Sequence, residues 1–308
     1  MHLDPEHGSE LGTVAVMADA ANPTAPPTPS GRLQGKVCIV TGATSGIGKA
    51  TAERFVAEGA TVVLVGRRQA LGERIAGQLG PSASFAAADV SVEDDVRALI
   101  DLTFERHGRV DCLFNNAGGP GQTGGIEGLD VDMFDATFAT NVRSVMLGMK
   151  HVAPIMKAQR SGSIINNASI AGQRSGYSSS LVYGSSKAAV IQLTKVVAME
   201  LAESFVRVNS ISPGAIATGI FGKVFGMDHA AADDTAARMA TVFAGAQPIP
   251  RAGLPADIAS VALFLASDDS SFMTAQDLVV DGAAINGRPW TPSQAGYAQM
   301  KKAFGIEE

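Results

Sequence analysis

The sequence has few cysteines, no excess of positive charge, no long apolar run and no cluster of metal-binding residues. Cysteine occurs only twice in 308 residues, which is too few for a disulfide scaffold and fits a reducing compartment, so we expect a cytoplasmic protein. Lys and Arg total 24 against 30 Asp and Glu, for a net charge of −6, and a nucleic-acid binder would normally be basic. No run of about 18 apolar residues predicts a membrane span. No His, Cys, Asp or Glu cluster has the spacing of a metal site.

The two ends of the chain differ in composition from the rest. Residues 1–30 hold five of the 14 prolines and no Lys or Arg, so they lack the basic start of a signal peptide. We interpret them as a disordered arm, with docking onto a neighbouring subunit as the alternative. Residues 31–284 are then the catalytic domain, and 285–308 a C-terminal extension that contains the only Trp, Trp290.

The body of the chain alternates apolar, β-branched runs with helical stretches. Such an alternation predicts an α/β fold, in which helices cover both faces of a parallel sheet. The predicted strands are 37–40, 61–65, 84–90, 111–115, 163–169, 206–212 and 277–282. The predicted helices are 49–58, 69–79, 92–107, 130–158, 182–203 and 255–266.

A glycine-rich turn lies directly between the first predicted strand and its helix. The segment 41–48 reads TGATSGIG, with Gly42, Gly46 and Gly48 placed to allow a tight turn and a close approach of the backbone to a phosphate. The helix that follows offers free N–H groups and the positive end of its dipole to a pyrophosphate. Thr44, Ser45 and Ile47 complete this predicted dinucleotide-binding turn.

The end of the second predicted strand indicates which dinucleotide is bound. An acid there would hydrogen-bond the ribose 2′-hydroxyl of NAD, but the sequence has Gly66 followed by Arg67 and Arg68. Arginine suits a 2′-phosphate through its permanent charge and forked geometry. We therefore expect NADP(H) to be favoured over NAD(H), with Asp89 and Val90 beside the adenine. The alternative is that the two arginines only begin a solvated helix.

A second group of residues carries the chemistry of proton transfer. Tyr183 and Lys187 are four positions apart, so both lie on one face of a helix. An ammonium about 4 Å from the phenol would lower its pKa by roughly three units, which brings the phenol toward the range of a general acid or base. Ser169 could hold a substrate oxygen, and Asn141 could kink its helix and anchor a water that relays protons to Lys187.

These motifs, taken in order, resemble the short-chain dehydrogenase/reductase family in its single-domain branch. The match comprises TGATSGIG, Asp89-Val90, NNAG (115–118), Asn141, Ser169, YGSSK (183–187) and SPGAIAT (212–218). The resemblance implies a Rossmann-type, doubly wound sheet with strand order 3-2-1-4-5-6-7 and a catalytic tetrad of Asn141, Ser169, Tyr183 and Lys187. It also implies cofactor contacts from both Tyr183 and Lys187 and from Asn115, Ala117, Gly118, Pro213, Gly214, Ile216 and Thr218.

The resemblance also suggests a function and an assembly. It is closest to dehydrogenases of bulky cyclic secondary alcohols, whose members often use NAD and carry Asp where this chain has Gly66. The apolar segment 219–247 is interpreted as a lid, which favours an apolar or cyclic alcohol or ketone as the small-molecule substrate. A 3-oxoacyl thioester reductase and a catalytically silent nucleotide-sensing regulator are the alternatives. Helices 130–158 and 182–203 are apolar on more than one face, and the resemblance implies a homotetramer or homodimer through them.

Overall fold

The predicted alternation of strands and helices is present in the structure, a computed structural model that describes residues 31–287 and 289–306. The arm predicted over 1–30 lies outside the described residues. The strands are Val37–Thr41 (β1), Thr61–Gly66 (β2), Ala83–Ala87 (β3), Cys112–Asn115 (β4), Gly162–Asn167 (β5), Val206–Pro213 (β6) and Asp277–Val280 (β7).

The helices connect these strands and form a group of short elements late in the chain. They are Gly46–Ala57 (α1), Gln69–Leu79 (α2), Glu93–His107 (α3), Val131–Phe138 (α4), Ser144–Gln159 (α5), Leu181–Leu201 (α6), Ile220–Val224 (α7), His229–Asp233 (α8), Ala236–Val242 (α9), Pro255–Ala266 (α10) and Trp290–Ala303 (α11). None of these described helices is both long and apolar enough to cross a membrane.

The seven strands form one parallel sheet in the order β3-β2-β1-β4-β5-β6-β7. This confirms the predicted fold class, including the strand order that the resemblance implied. After β3 the chain returns to the other side of β1, so β1 and β4 are neighbours at the point where the strand order reverses. The loops that leave these two strands diverge there and open a cleft at the carboxyl edge of the sheet, where ligands bind in this type of fold.

Two apolar layers cover the faces of the sheet. Alternate residues of each strand point to opposite faces, so Ile39 joins one core cluster while its neighbours Cys38 and Val40 join the other. Helices α3, α5 and α6 pack on the Ile39 face, and α1, α2 and α10 on the other face. Cys38 and Cys112 are neighbours in the adjacent strands β1 and β4. Both are buried and form no disulfide bond. This packing fixes the strand ends that carry the site.

The predicted and observed elements differ at several ends, most clearly in two places. The helix predicted over 130–158 is divided by a π-helical turn, Ala139–Arg143, between α4 and α5. The strand predicted over 84–90 ends at Ala87, so Asp89 and Val90 lie in the loop beyond it. Both differences occur at the carboxyl edge of the sheet, where the loops that form the cleft begin.

Candidate active site

The turn after β1 has the backbone conformation that its glycines predicted. Gly42 and Gly46 adopt φ values of 66° and 53°, in the left-handed region that favours glycine. A Cβ on Gly42 would lie 2.9 Å from the Cα of Ala117, and one on Gly48 would lie 2.4 Å from the Gly42 carbonyl oxygen. Any larger residue would therefore push apart the loops that follow β1 and β4.

Polar side chains tie the ends of β1, β4 and β5 together. The Thr41 hydroxyl accepts hydrogen bonds from the backbone N–H groups of Asn116 (2.9 Å) and Ala117 (3.0 Å). The Asn116 amide donates to the Thr41 carbonyl at 2.8 Å, and its own oxygen accepts a bond from Asn167 at 2.9 Å. The Thr41 hydroxyl and the Asn116 side chain thereby have hydrogen-bond partners at the floor of the cleft, and the three loops are held in register.

The two arginines after β2 lie in different surroundings. Arg68 donates to the Thr44 hydroxyl at 3.0 Å and to Asp233 at 3.0 Å, and its side chain is 24% exposed. The side chain of Arg67 is 68% exposed, and its nearest carboxylate oxygen, on Asp89, is 4.0 Å away. Arg67 is thus open to solvent, whereas Arg68 is engaged by other parts of the chain.

Helix α6 brings the predicted phenol and ammonium to the cleft. Ser180 caps the helix by accepting a bond from the Tyr183 backbone N–H at 3.1 Å, which fixes the first turn. Lys187, one turn later, donates from Nζ to the Asn167 carbonyl oxygen at 2.6 Å. Its Nζ lies 5.7 Å from the centre of the Tyr183 ring. Ser169, just beyond β5, accepts a bond from the Ala171 N–H at 3.1 Å.

Burial changes the ionisation of both groups, but not as the sequence suggested. Burial raises the pKa of the Tyr183 hydroxyl, and the neighbouring Ser169 side chain opposes this rise only in part. Burial also lowers the pKa of the Lys187 ammonium to about 8. In the protein alone the net shift of the phenol pKa is therefore upward, opposite to the expected direction, because desolvation disfavours the charged form of the phenol.

Asn141 lies in the π-helical turn and is completely buried. Its side-chain oxygen accepts a bond from the Gly119 N–H at 2.8 Å, and its amide donates to the Gly119 carbonyl and the Ser186 hydroxyl, both at 3.0 Å. The Ser186 hydroxyl in turn donates to the Tyr183 carbonyl at 2.7 Å. Asn141 thus joins the loop after β4 to the helix that carries the phenol.

These elements enclose a cavity of about 810 Å³ at the carboxyl edge of the sheet. Most of the predicted site residues line it: Gly42, Thr44, Ser45, Gly46, Ile47, Arg67, Arg68, Asp89, Val90, Ala117, Gly118, Ser169, Tyr183, Lys187, Pro213, Gly214, Ile216 and Thr218. In the described parts of the chain, His, Cys, Asp and Glu side chains form no cluster of three or more that could hold a metal.

Three predicted residues do not line the cavity. Asn115 points to the face of the sheet that α5 covers, where its amide donates to Asn166 at 2.9 Å, and Asn116 lines the cavity instead. Gly48 is used for close packing behind the turn, and Asn141 lies behind Gly119. Successive side chains at the end of β4 point to opposite faces of the sheet. Asn115 and Asn116 therefore cannot both face the cleft.

The segment after β6 covers one end of the cavity. Helices α7, α8 and α9 lie in it, and Phe221, Val224 and Phe243 line the cavity. The rings of Phe221 and Phe243 meet edge to face, with centres 4.7 Å apart. Lys223 and Asp233 also line the cavity, and motif reasoning did not assign either of them to the site. This segment, 219–247, is called the lid below.

The groups at the turn fit a dinucleotide. In the described residues, the Ser45 side chain does not cap α1, so the first N–H groups of that helix are free for a phosphate. The Asn167 side-chain oxygen is buried without a hydrogen-bond partner in the wall of the same cavity, and a donor on a ligand would satisfy it. The turn could therefore hold the pyrophosphate, and the Lys187 end the nicotinamide ribose.

Comparison with known proteins gives consistent matches over nearly the whole body. The model of a family described as enoyl-(acyl carrier protein) reductase matches residues 42–283. The sex determination protein tasselseed-2 of Zea mays is 39% identical over 295 residues, covering 88% of each chain. A (+)-borneol dehydrogenase of Salvia officinalis is 37% identical over 268 residues, covering 85% of this chain and 94% of the relative. The crystal structure of a levodione reductase superposes with a TM-score of 0.73 at 34% identity, covering 82% of this chain and 98% of that one.

Proposed function

The chain belongs to the short-chain dehydrogenase/reductase family and is an oxidoreductase, and on this premise we propose a specific reaction for it. The reaction is hydride transfer between NADP(H) or NAD(H) and the carbinol or carbonyl carbon of an apolar or cyclic secondary alcohol or ketone. The observation that carries this proposal is the convergence of Ser169, Tyr183 and Lys187 in one cavity with the glycine-rich turn.

Tyr183 is the proposed general acid and base. The bound nicotinamide supplies the hydride in reduction and accepts it in oxidation. In reduction, the Tyr183 hydroxyl donates its proton to the carbonyl oxygen, and in oxidation it takes the proton of the substrate hydroxyl. Because burial raises the pKa of this hydroxyl, the phenol keeps its proton at neutral pH, which suits proton donation.

The remaining members of the proposed tetrad position the reacting groups. The Ser169 hydroxyl hydrogen-bonds the substrate oxygen and holds it next to the phenol. The Lys187 ammonium stabilises the negative charge on Tyr183 after its proton has left. Asn141 is a positioning residue, because it reaches the site only through Gly119 and Ser186.

The lid and the relatives support an apolar cyclic substrate. Aromatic and branched side chains of the lid line the cavity, and one relative and one solved structure are named for borneol and levodione. The description of the matching family model refers to an acyl-carrier substrate, but the acidic balance of the chain does not favour docking of an acidic carrier.

The arginines after β2 support NADP(H) as the favoured cofactor. Arg67 is largely exposed beside the cavity, free to form a bidentate contact with a 2′-phosphate. We therefore expect NADPH to bind more tightly than NADH.

The assembly and the location of the protein are further parts of this proposal. Met146 on α5 and Met199 on α6 point away from the sheet and are exposed, which supports a homotetramer or homodimer formed through these helices. The low cysteine content supports a cytoplasmic location.

Replacement of Tyr183 by Phe tests the reaction directly. The variant should lose turnover by about 10²–10⁴-fold, the usual contribution of a general acid or base, while its dissociation constant for the cofactor stays within about twofold. Steady-state kinetics on a panel of cyclic ketones, with a fluorescence titration of the cofactor, measure both quantities. Retained turnover in this variant would refute the assignment.

Tyr297→Phe is the matched control, because Tyr297 lies on α11 and is more than half exposed. It loses the same hydroxyl group and should keep its activity. A wild-type protein that binds the cofactor but turns over no member of the panel would instead favour the silent regulator.

A further inference from the structure

Arg68 links the cofactor turn to the lid. Its Nε and Nη2 atoms donate to the Thr44 hydroxyl at 3.3 and 3.0 Å, and Nη2 also donates to the Thr44 carbonyl at 3.3 Å. On its other side, Nη1 donates to the Asp233 carboxylate at 3.0 Å. Thr44 belongs to the turn after β1, and Asp233 ends α8 in the lid. All three residues line the cavity.

The Asp233 carboxylate lies close against the backbone of Gly219. A Cβ on Gly219 would lie 2.7 Å from its Oδ1 atom, so the glycine backbone leaves just enough room for the carboxylate. The side chains of Arg68 and Asp233 are only 24% and 28% exposed. A partly shielded charge pair of this kind is screened less by salt than one on the open surface.

The Asp233 carboxylate lies near three cationic side chains. Arg67, Arg68 and Lys223 all line the cavity, and their charges lie near enough to influence one another. Burial and the charges of Arg68 and Arg67 lower the pKa of Lys223, and the Asp233 carboxylate opposes that shift. Without Asp233, three cations would line the cavity beside a bound phosphate, with Asp89, 4.0 Å from Arg67, as the remaining carboxylate.

We propose that Asp233 is a specificity-determining residue for the cofactor, because its carboxylate occupies Arg68 and opposes a 2′-phosphate at that site. This inference rests on the proposed binding of a nicotinamide dinucleotide. The position at the end of β2 where an acid normally discriminates against NADP is Gly66 here. The carboxylate comes instead from the lid, a segment far away in the sequence.

The physical basis is competition for a single guanidinium group. A 2′-phosphate carries nearly two negative charges and forms its strongest contacts with a free arginine fork. It must share Arg68 with Asp233 and bear the repulsion of that carboxylate, whereas a 2′-hydroxyl meets no such repulsion. The chain therefore binds NADPH through Arg67 and only part of Arg68.

Dissociation constants for NADPH and NADH test this inference without any substrate. Asp233→Asn keeps the size of the side chain but removes its charge. The variant should bind NADPH about tenfold more tightly, equal to about 1.4 kcal/mol, and NADH within about twofold of wild type. The gain should shrink as salt is raised, because it is electrostatic. Titration of cofactor fluorescence at two ionic strengths provides these values.

Two further variants keep the experiment decisive. Asp234→Asn removes the neighbouring lid carboxylate, which does not line the cavity, and should leave the NADPH to NADH ratio unchanged. In an Arg68→Gln background, Asp233→Asn should keep only the part of its effect that comes from direct repulsion of the phosphate, because the competition for the guanidinium is gone. An unchanged ratio in Asp233→Asn, or an equal gain for both cofactors, would overturn the inference.

The outcomes also separate this inference from the proposed function. A wild-type protein that prefers NADH would overturn the proposed preference for NADP(H), yet the ratio in Asp233→Asn would still shift toward NADPH. A protein that binds neither cofactor would overturn both.

Discussion

At the scale of single residues, the buried ammonium of Lys187 shows how the fold changes ionisation. Its side chain is 4% exposed, and its one hydrogen-bond acceptor among the described residues is the Asn167 carbonyl oxygen. A neutral carbonyl stabilises the ammonium less than water does, so burial lowers the pKa from 10.5 to about 8. The amine is thus close to losing its proton under mildly alkaline conditions.

This shift predicts a particular dependence of stability on pH. Between pH 8 and 10.5 the unfolded chain keeps the Lys187 proton while the native protein releases it, so this residue makes the free energy of unfolding rise with pH. From pH 8 to 9.5 the gain should be about 1.5 kcal/mol relative to Lys187→Met, whose side chain cannot titrate. Urea unfolding at several pH values measures the difference.

Lys195→Met provides the comparison on the same helix. Lys195 is exposed on α6, so this variant should follow the wild-type curve. Parallel curves for wild type and Lys187→Met would contradict the predicted shift.

The site residues that sequence predicted best are those whose role depends on a backbone motif. The glycines of the turn and the Tyr183–Lys187 pair were placed by spacing alone, because the spacing itself fixes the turn or the helix face. The different surroundings of Arg67 and Arg68 could not be predicted in this way. They depend on Asp233, which is 165 positions from Arg68 in the sequence, and no local pattern records such a contact.

At the scale of elements, the π-helical turn is where the sequence prediction and the structure differ most clearly. The apolar pattern over 130–158 predicts one continuous helix, and the structure has α4, Ala139–Arg143 and α5 in succession. A π turn inserts one residue into the helical repeat, which hydropathy does not detect. The sequence analysis expects that Asn141 could kink its helix, and the π-helical turn contains that residue.

The hydrogen bonds of Asn141 predict how much the stability of the protein depends on this residue. Asn141→Ala removes all three bonds and leaves the Gly119 backbone groups without these partners. At about 1 kcal/mol for each bond, the free energy of unfolding should fall by roughly 3 kcal/mol. Ser186→Ala removes one of the three, together with the bond from the Ser186 hydroxyl to the Tyr183 carbonyl, and should cost about 2 kcal/mol. Urea titration of both variants measures this order, and equal losses would contradict it.

At the scale of the whole molecule, the sequence predicts the sheet well. It predicts only part of the structure of the lid and of the C-terminal extension. Each buried strand is a short apolar run between helices, so the alternation alone predicts a parallel sheet. The lid was predicted as an apolar cover, but its three short helices and its charged contact with Arg68 depend on tertiary packing. Trp290, in the extension, begins α11 and is 77% exposed.

The exposed apolar side chains on the outer face of α6 predict self-association. Val196 and Met199 lie about one turn apart and are 59% and 73% exposed. Burial of such a side chain contributes about 1.5–3 kcal/mol, so a second copy packed on this face would be stabilised by both. Val196→Lys/Met199→Lys would place two charges in the contact, and light scattering after gel filtration should then detect a smaller species than the dimer or tetramer of the wild type.

Leu102→Lys is the control, because Leu102 is an exposed apolar residue on α3, and this substitution should leave the mass unchanged. A monomeric wild type, or an equal effect of both substitutions, would place any contact elsewhere.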